Sequence, residues 1–244
     1  ARLYAGSNPP GQDGCDASQV HGRWGLADRR PPPVELPPWE QLQSALEEAD
    51  SPLDVLVLGP CTDLPHLLSW PIAARIRNLT VMGGAFEAGG NVTPFAEFNV
   101  FMDPEAAEET MRAAPGSTWV PLDATEEHLY PREELLGEVA DDERGRLIGE
   151  LCDFCAAAHR KLGYGDGVYM HDVLAAAVWL DLVETTVRNT GVERVVRSGE
   201  HRGEIVHDPL QKGRNRVRYV SGIDHGGFLG SWEKACRGDT TPTI

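Results

Sequence analysis

Long apolar runs are missing from this sequence. The longest, residues 173–180, falls well short of the roughly 20 residues a helix needs to cross a bilayer, so no membrane-spanning helix is expected. The chain also starts without a charged leader and an apolar signal core, which predicts a protein that stays in the cytoplasm. Positive charge is scarce as well. Lys+Arg number 22 against 38 Asp+Glu, a net charge of -16, and lysine occurs only at Lys161, Lys212 and Lys234. Such a field repels phosphate backbones and anionic lipid surfaces, so neither nucleic acid nor membrane is an expected partner. Cysteine is sparse and odd in number: Cys15, Cys61, Cys152, Cys155 and Cys236. A chain this large needs no disulfide staples, which favours a reducing compartment. The lone C-x-x-C at Cys152 and Cys155 lies in a helical run, 143–162, with no second pair to complete four ligands. It reads as core packing and not as a zinc or redox site.

What is present is an alternation of helices and buried strands. The 244 residues suffice for a single α/β domain spanning 1–244. A short strand is expected at 2–6, then a Gly/Pro-rich stretch over 7–38 of the kind that is functional or disordered in compact domains. A helix over 39–49 leads to the apolar run 53–58, a buried strand closed by Gly59-Pro60. A helix near 63–69, a strand near 79–82, a glycine-bearing loop, a helix opening at Asp103-Pro104 and a strand over 118–122 repeat the pattern. Helices near 132–140, 143–162 and 172–180 follow, then strands at 192–197, 203–206 and 216–220 and a closing helix near 227. This order predicts a doubly wound, mostly parallel sheet covered on both faces. Ligands of such sheets gather at the carboxyl ends of the strands, so the loops after Leu58 and Met82 and the turn before Asp172 are the informative ones.

The densest chemistry is in the segment Met82-Gly83-Gly84 through Gly89-Gly90-Asn91-Val92-Thr93 to Ala96-Glu97-Phe98-Asn99, running into Asp103-Pro104-Glu105. Glycines let backbone approach a ligand closely, while Asn91, Glu97 and Asn99 supply amides and a carboxylate suited to ribose hydroxyls. Read singly, Asn91 and Asn99 would be turn caps. Elsewhere, His171-Asp172 opens an apolar helix. An aspartate there is expected to be held by free N–H groups and to stay ionised, with a neighbouring imidazole able to donate a proton near neutral pH.

Together these motifs resemble those of the inosine/uridine-type nucleoside hydrolases, whose loop G-N-x-T-x-x-A-E-F-N and helix start D-P-E-A-A are matched nearly residue for residue. Four further stretches agree in order. Leu58-Gly59-Pro60-Cys61-Thr62-Asp63-Leu64 is similar to the family's L-G-P-L-T-N-L turn, with Asp63 in place of asparagine. His21-Gly22-Arg23-Trp24-Gly25-Leu26 resembles H-G-x-x-G-[LM], Leu122-Asp123-Ala124-Thr125 resembles L-D-[VL]-T, and His171-Asp172-Val173 resembles H-D-P, with valine replacing proline. The resemblance implies hydrolysis of a ribonucleoside to ribose and base. It assigns Asn91, Glu97, Asn99 and His21 to the substrate, His171 to the leaving base, and Asp172 with the Leu58 carbonyl to calcium. Tyr164, Tyr169 and His159 fall where the family carries an aromatic flap, where core packing is an equal reading. A second H-D-P-L string, His207-Asp208-Pro209-Leu210, is followed by a polar turn instead of a helix and receives no role.

The family's amino-terminal D-x-D-x-x-x-D-D, source of its proton-accepting aspartate and most metal carboxylates, has no counterpart here. The only comparable adjacent pair, Asp141-Asp142, lies between predicted helices. Calcium takes about six to eight oxygens, so Ca2+ is expected only if carboxylates come from a separate amino-terminal polypeptide. The fold expected is thus the nucleoside hydrolase sheet without its first βα units, in a homo-oligomer. The alternative is a non-hydrolytic relative that binds a nucleoside-like ligand or serves another reaction in a biosynthetic pathway.

Overall fold

The computed structural model describes residues 2–10, 17–48, 51–137, 139, 141–210 and 215–238. Six strands, β1 (Leu53–Val57), β2 (Ile76–Met82), β3 (Thr118–Val120), β4 (Thr185–Val195), β5 (Ile205–Asp208) and β6 (Arg216–Ile223), form one sheet in the order β1-β2-β3-β6-β4-β5. The pairs β1/β2, β2/β3 and β3/β6 are parallel and β4/β5 is antiparallel. The α/β class with a mostly parallel sheet is therefore the one the chain adopts. Helices are α1 (Ser18–His21), α2 (Glu40–Glu47), α3 (Leu64–Ser69), α4 (Phe98–Met102), α5 (Pro104–Ala113), α6 (Leu122–Thr125), α7 (Arg132–Leu136), α8 (Glu143–Leu162), α9 (His171–Trp179) and α10 (His225–Arg237).

The chain divides into two compact units. The first comprises Ala1–Gln12, Val34–Ala124 and Thr185–Gly222, and holds the sheet. Its register sets the site. Val57 pairs with Val81, Val81 with Trp119 and Trp119 with Tyr219, so one row crosses four strands. The loops that follow Val57, Met82 and Val120 consequently leave the same edge of the sheet, the carboxyl edge where ligands collect. Along β2 the exposed start, Arg77 and Asn78, is held by the Asp54 carboxylate, and Leu79 to Met82 are buried without alternation, as a parallel strand covered on both faces requires. The core joins Val81, Trp119 and Tyr219 to Met111, Val192 and Val217. Helix α5 begins where Asp103 accepts the Ala106 N–H at 3.0 Å, with Pro104 in its first turn, and turns Ala106, Ala107, Thr110 and Met111 inward. Capping and a proline at the first position both favour that start.

The second unit comprises Asp13–Pro33, Thr125–Glu184 and Ile223–Ile244. Its long helix, α8, starts at the Asp142 cap, whose carboxylate accepts the Gly145 N–H at 2.7 Å, and ends at Gly163. Cys152, Ala156 and His159 form its buried stripe at helical spacing. Cys152 is thus a core residue, and the four described cysteines are free. In α10, Phe228 and Cys236 are buried, and Trp232 donates its indole N–H to the Leu135 carbonyl at 2.8 Å.

Differences from the sequence expectation lie at the ends. The opening strand reduces to a single parallel bridge, Ala5 to Pro38. β4 starts at Thr185, well before the expected residue, because its first half is polar and exposed and carries no period-2 apolar signal. Helix α7 stops at Leu136 rather than near 140. Expectations that fall on Cys15, on the far end of the helix over 39–49, and on the turn at 211–214 lie outside the described residues.

Candidate active site

In the first unit the loop after β2 is folded tightly back on itself. Gly84 has φ 87°, and a Cβ there would stand 2.7 Å from Ile205 Cδ1; at Gly90 a Cβ would lie 2.2 Å from the Ala96 backbone. Both positions therefore need glycine. The returning arm is Thr93 to Ala96, pinned by Gly90 N–H to Pro94 O and Val92 N–H to Ala96 O, each 3.2 Å. Glu97 then caps α4. Its Oε1 accepts the Asn99 N–H at 2.8 Å, and its Oε2 accepts the Val100 N–H at 3.1 Å and the Gly84 N–H at 2.9 Å. The side chain is 2% exposed, so these charge-assisted bonds compensate a desolvated carboxylate. Asn91 Oδ1 accepts the Phe98 N–H at 3.0 Å, and Asn99 Nδ2 donates to the Met82 carbonyl at 3.2 Å. All three sequence-assigned ribose residues are thus brought together in one loop, each fixed by backbone. The structure shows the capping reading of Asn91: its Oδ1 is used, while its amide N–H groups have no partner among the described residues.

Leu58 follows β1 and is 40% exposed, which leaves its backbone at the same carboxyl edge. Asp63 in the adjoining turn accepts the Ser7 N–H on Oδ2 at 2.8 Å, a tether for the opening segment.

The second unit holds the other assigned residues. His21 and Asp172 line a cleft of about 410 Å³ with Ser18, Gly22 and Arg23. His171 stands beside Asp172 at the start of α9, its Nδ1 2.8 Å from the hydroxyl of Thr125. Helix α9 begins at His171 with Met170 as the cap residue and no side-chain cap bond. Asp172 consequently lies within the first turn and is not held by backbone N–H groups as expected. It is exposed to the cleft, yet the surrounding protein withdraws enough water to push its carboxyl up to about 6. Burial, then the neighbouring His159 and His21, push His171 down to about 3. At neutral pH the imidazole is neutral, since desolvation disfavours its charged form, while the Asp172 carboxyl remains mostly ionised. His21 is lowered by burial and by His159, and the Cys155 thiol lies 3.8 Å from its Nδ1. His159 contacts Tyr164 and Tyr169 edgewise or tilted and bonds the Gly167 carbonyl at 3.1 Å. This packs the three flap residues against one another.

The described residues do not fit a self-contained calcium site. Among them, no group of three or more His, Cys, Asp or Glu side chains could hold a metal ion, and Asp172 alone falls far short of the oxygens calcium requires.

Two residues to which the sequence reading gave no role serve the β2 loop. Asp123 accepts the N–H groups of Phe86, Glu87 and Ala88 at 2.9, 2.7 and 3.2 Å. His207, from the string that received no role, donates Nε2–H to the Phe86 carbonyl at 2.9 Å, and its Nδ1 accepts from the Thr190 hydroxyl at 2.8 Å. Phe86 also stacks on Tyr219 at 4.5 Å.

A parallel α/β sheet with a glycine-rich loop presenting Asn91, Glu97 and Asn99 at its carboxyl edge is the frame of a nucleoside hydrolase. The sequence model of the inosine-uridine preferring nucleoside hydrolases matches residues 1–230, and the chain belongs to that family. It is similar to uridine nucleosidase 1 of Arabidopsis thaliana, 32% identical over 216 residues, covering 83% of this chain and 63% of that protein. The pyrimidine-specific ribonucleoside hydrolase RihA of Salmonella newport is 35% identical over 232 residues, covering 87% and 72%. The non-specific ribonucleoside hydrolase RihC of Salmonella paratyphi A is 32% identical over 194 residues, covering 76% and 62%. This chain therefore spans less than two thirds of the length of the Arabidopsis protein and of RihC. Among solved structures, a purine-preferring ribonucleoside hydrolase from Gardnerella vaginalis superposes with a TM-score of 0.74 at 25% identity, covering 91% of this chain and 73% of that one. The plant nucleoside hydrolase PpNRh1 shares the fold, with a TM-score of 0.78 at 24% identity over 91% of this chain and 75% of the other. No helix among the described residues is long and apolar enough to cross a membrane.

Proposed function

We propose that this chain supplies the ribose-holding and leaving-group residues of a nucleoside N-ribohydrolase, which converts a ribonucleoside and water to ribose and free base. The observation that carries it is the β2 loop, where a buried Glu97 and backbone-fixed Asn91 and Asn99 are held rigidly. Fixed polar groups orient a diol without the entropy cost of ordering on binding. Asn91 offers its amide N–H groups to a ribose hydroxyl, and Asn99 and Glu97 set the shape of the loop around it. In the tautomer in which Nδ1 accepts from Thr125, His171 carries its proton on Nε2 and donates a hydrogen bond from there to the departing base. His21 lines the cleft beside Asp172 and contacts the substrate.

The carboxylate that takes the proton from water is assigned to a polypeptide segment outside this sequence, carrying the aspartates that this chain lacks. Supporting this, β1 ends the sheet and all five of its residues are only half-buried, an open parallel edge of the kind that proteins cover or pair. Asp172 and the Leu58 carbonyl are the residues that would hold calcium, and only in that assembled form. There it would supply Lewis-acid stabilisation and an acidified water. The proposal carries with it a cytoplasmic homo-oligomer, which the charge of -16 keeps away from nucleic acid and anionic lipid.

The test is ribose release from inosine and from uridine by the natural protein, assembled with its aspartate-bearing segment and supplied with calcium. Release that falls at least tenfold in Asn91→Ala supports the reading. No release from either nucleoside overturns it.

A further inference from the structure

Asp123 stands at the carboxyl end of β3, where a carboxylate in a parallel sheet would ordinarily be a candidate base or metal ligand. Its oxygens are already used. Oδ1 accepts the N–H groups of Glu87 and Ala88, and Oδ2 accepts that of Phe86. Three consecutive amides converging on one carboxylate form a nest, a concave cluster of N–H dipoles that binds an anion. Here the anion is a side chain of the protein itself. Loop backbone outside a sheet needs partners for its N–H groups, and bonds to a carboxylate are the stronger kind.

We propose that Asp123 is a positioning residue that holds the ribose-binding loop in its productive shape. The inference rests on the ribohydrolase reading above. The loop is anchored on two sides. Glu97 holds it at Gly84, and Asp123 holds it at Phe86, Glu87 and Ala88. Beyond Ala88 the chain is next tied at Gly90, to the Pro94 carbonyl of its own returning arm, and then at Asn91 to Phe98. The outer face of the same stretch is closed by the Phe86–Tyr219 stack, by His207 on the Phe86 carbonyl and by Arg188 paired with Glu87. Loss of the Asp123 carboxylate leaves Glu97 and Asn99 anchored at Gly84 and Met82 but releases the three amides that lead into the arm carrying Asn91. The effect on substrate therefore passes through Asn91. Displacing a binding group by about 1 Å costs on the order of 10²-fold in rate, so kcat/KM is expected to fall about 10- to 100-fold in Asp123→Ala, with Asp123→Asn, which keeps one acceptor oxygen, in between.

A double-mutant cycle separates positioning from plain destabilisation, because residues that act through one another are non-additive. In the assembled protein, Asn91→Ala is expected to cost much less in an Asp123→Ala background than in the parent. Multiplicative losses would overturn the proposal. Hydrogen exchange at the Phe86, Glu87 and Ala88 amides tests the same point without activity. In the nearly isosteric Asp123→Asn these amides should exchange at least tenfold faster while those of β2 keep their protection, and unchanged protection would also overturn it. Should the parent protein hydrolyse no nucleoside, the ribohydrolase reading fails while amide exchange still decides whether Asp123 holds the loop.

Discussion

The hydroxyl of Thr125, wholly buried, lies 2.8 Å from Nδ1 of His171. A hydroxyl can donate or accept, and in the arrangement in which Thr125 donates to Nδ1 the neutral imidazole carries its proton on Nε2. In that arrangement Thr125 supports the tautomer that can donate to a departing base. Thr125→Val, close in shape but without the hydroxyl, is expected to lower kcat by about tenfold and leave KM for the nucleoside little changed, the pattern of an interaction made in the transition state. Steady-state ribose release checks it. A rise in KM at constant kcat would show that Thr125 serves binding instead.

Glu97 makes a second prediction because its carboxylate does two things at once. It caps α4 and ties the loop to Gly84 through three backbone N–H groups. Glu97→Gln turns one accepting oxygen into an amide that faces N–H donors. Leaving buried donors unsatisfied costs about 1–3 kcal/mol, so the unfolding free energy from urea denaturation should fall by that amount, seen as a lower midpoint at an unchanged m-value. An effect on activity without any loss of stability would mean that Glu97 is not held as described.

The stability of the protein should rise as pH is raised from about 5 to neutrality. His21 and His159 have pKa values depressed by burial below the ordinary 6.5. A depressed group contributes stability that is present above the unfolded value and lost as pH falls through the folded one. His171, lowered to about 3, has the same sign. Asp172, raised from 3.8 to about 6, has the opposite sign and works against His171 between those values. The net slope therefore comes from His21 and His159 below 6.5. Thermal unfolding followed across this range should flatten in His159→Gln, and an unchanged slope would remove His159 from the account.

How much of this was legible beforehand depends on the range over which each signal acts. Continuous apolar runs marked the cores of β1 and β2, and the helical run over 143–162 gave α8 at its observed ends. The polar first half of β4 is a strand only because neighbours pair with it, and no local pattern announces that. Asn91, Glu97 and Asn99 stood out because their loop is a contiguous motif. Asp123 and His207 did not, since what they do is bond backbone 35 to 37 and 121 residues away, and such contacts leave no trace in spacing. The sizes of the shifts at His171 and Asp172 were hidden for the same reason: desolvation depends on what the fold places around a group, and on nothing in the dipeptide itself.

Asp172 offers a test with two opposite signs. It faces a cleft that raises its carboxyl to about 6, so above that pH it is charged where water is scarce, with no hydrogen-bond partner among the described residues. Asp172→Asn should therefore raise the thermal midpoint of the calcium-free protein at neutral pH, because the amide has no charge to desolvate. If Asp172 ligates calcium in the assembled enzyme, the same change should abolish most of the stabilisation that added calcium gives the parent, since a ligand stabilises only in proportion to its binding to the folded state. The two effects separate the cost of the carboxylate from its use. A variant that gains stability without calcium yet keeps the full calcium response would leave the desolvation argument standing and remove Asp172 from the metal site.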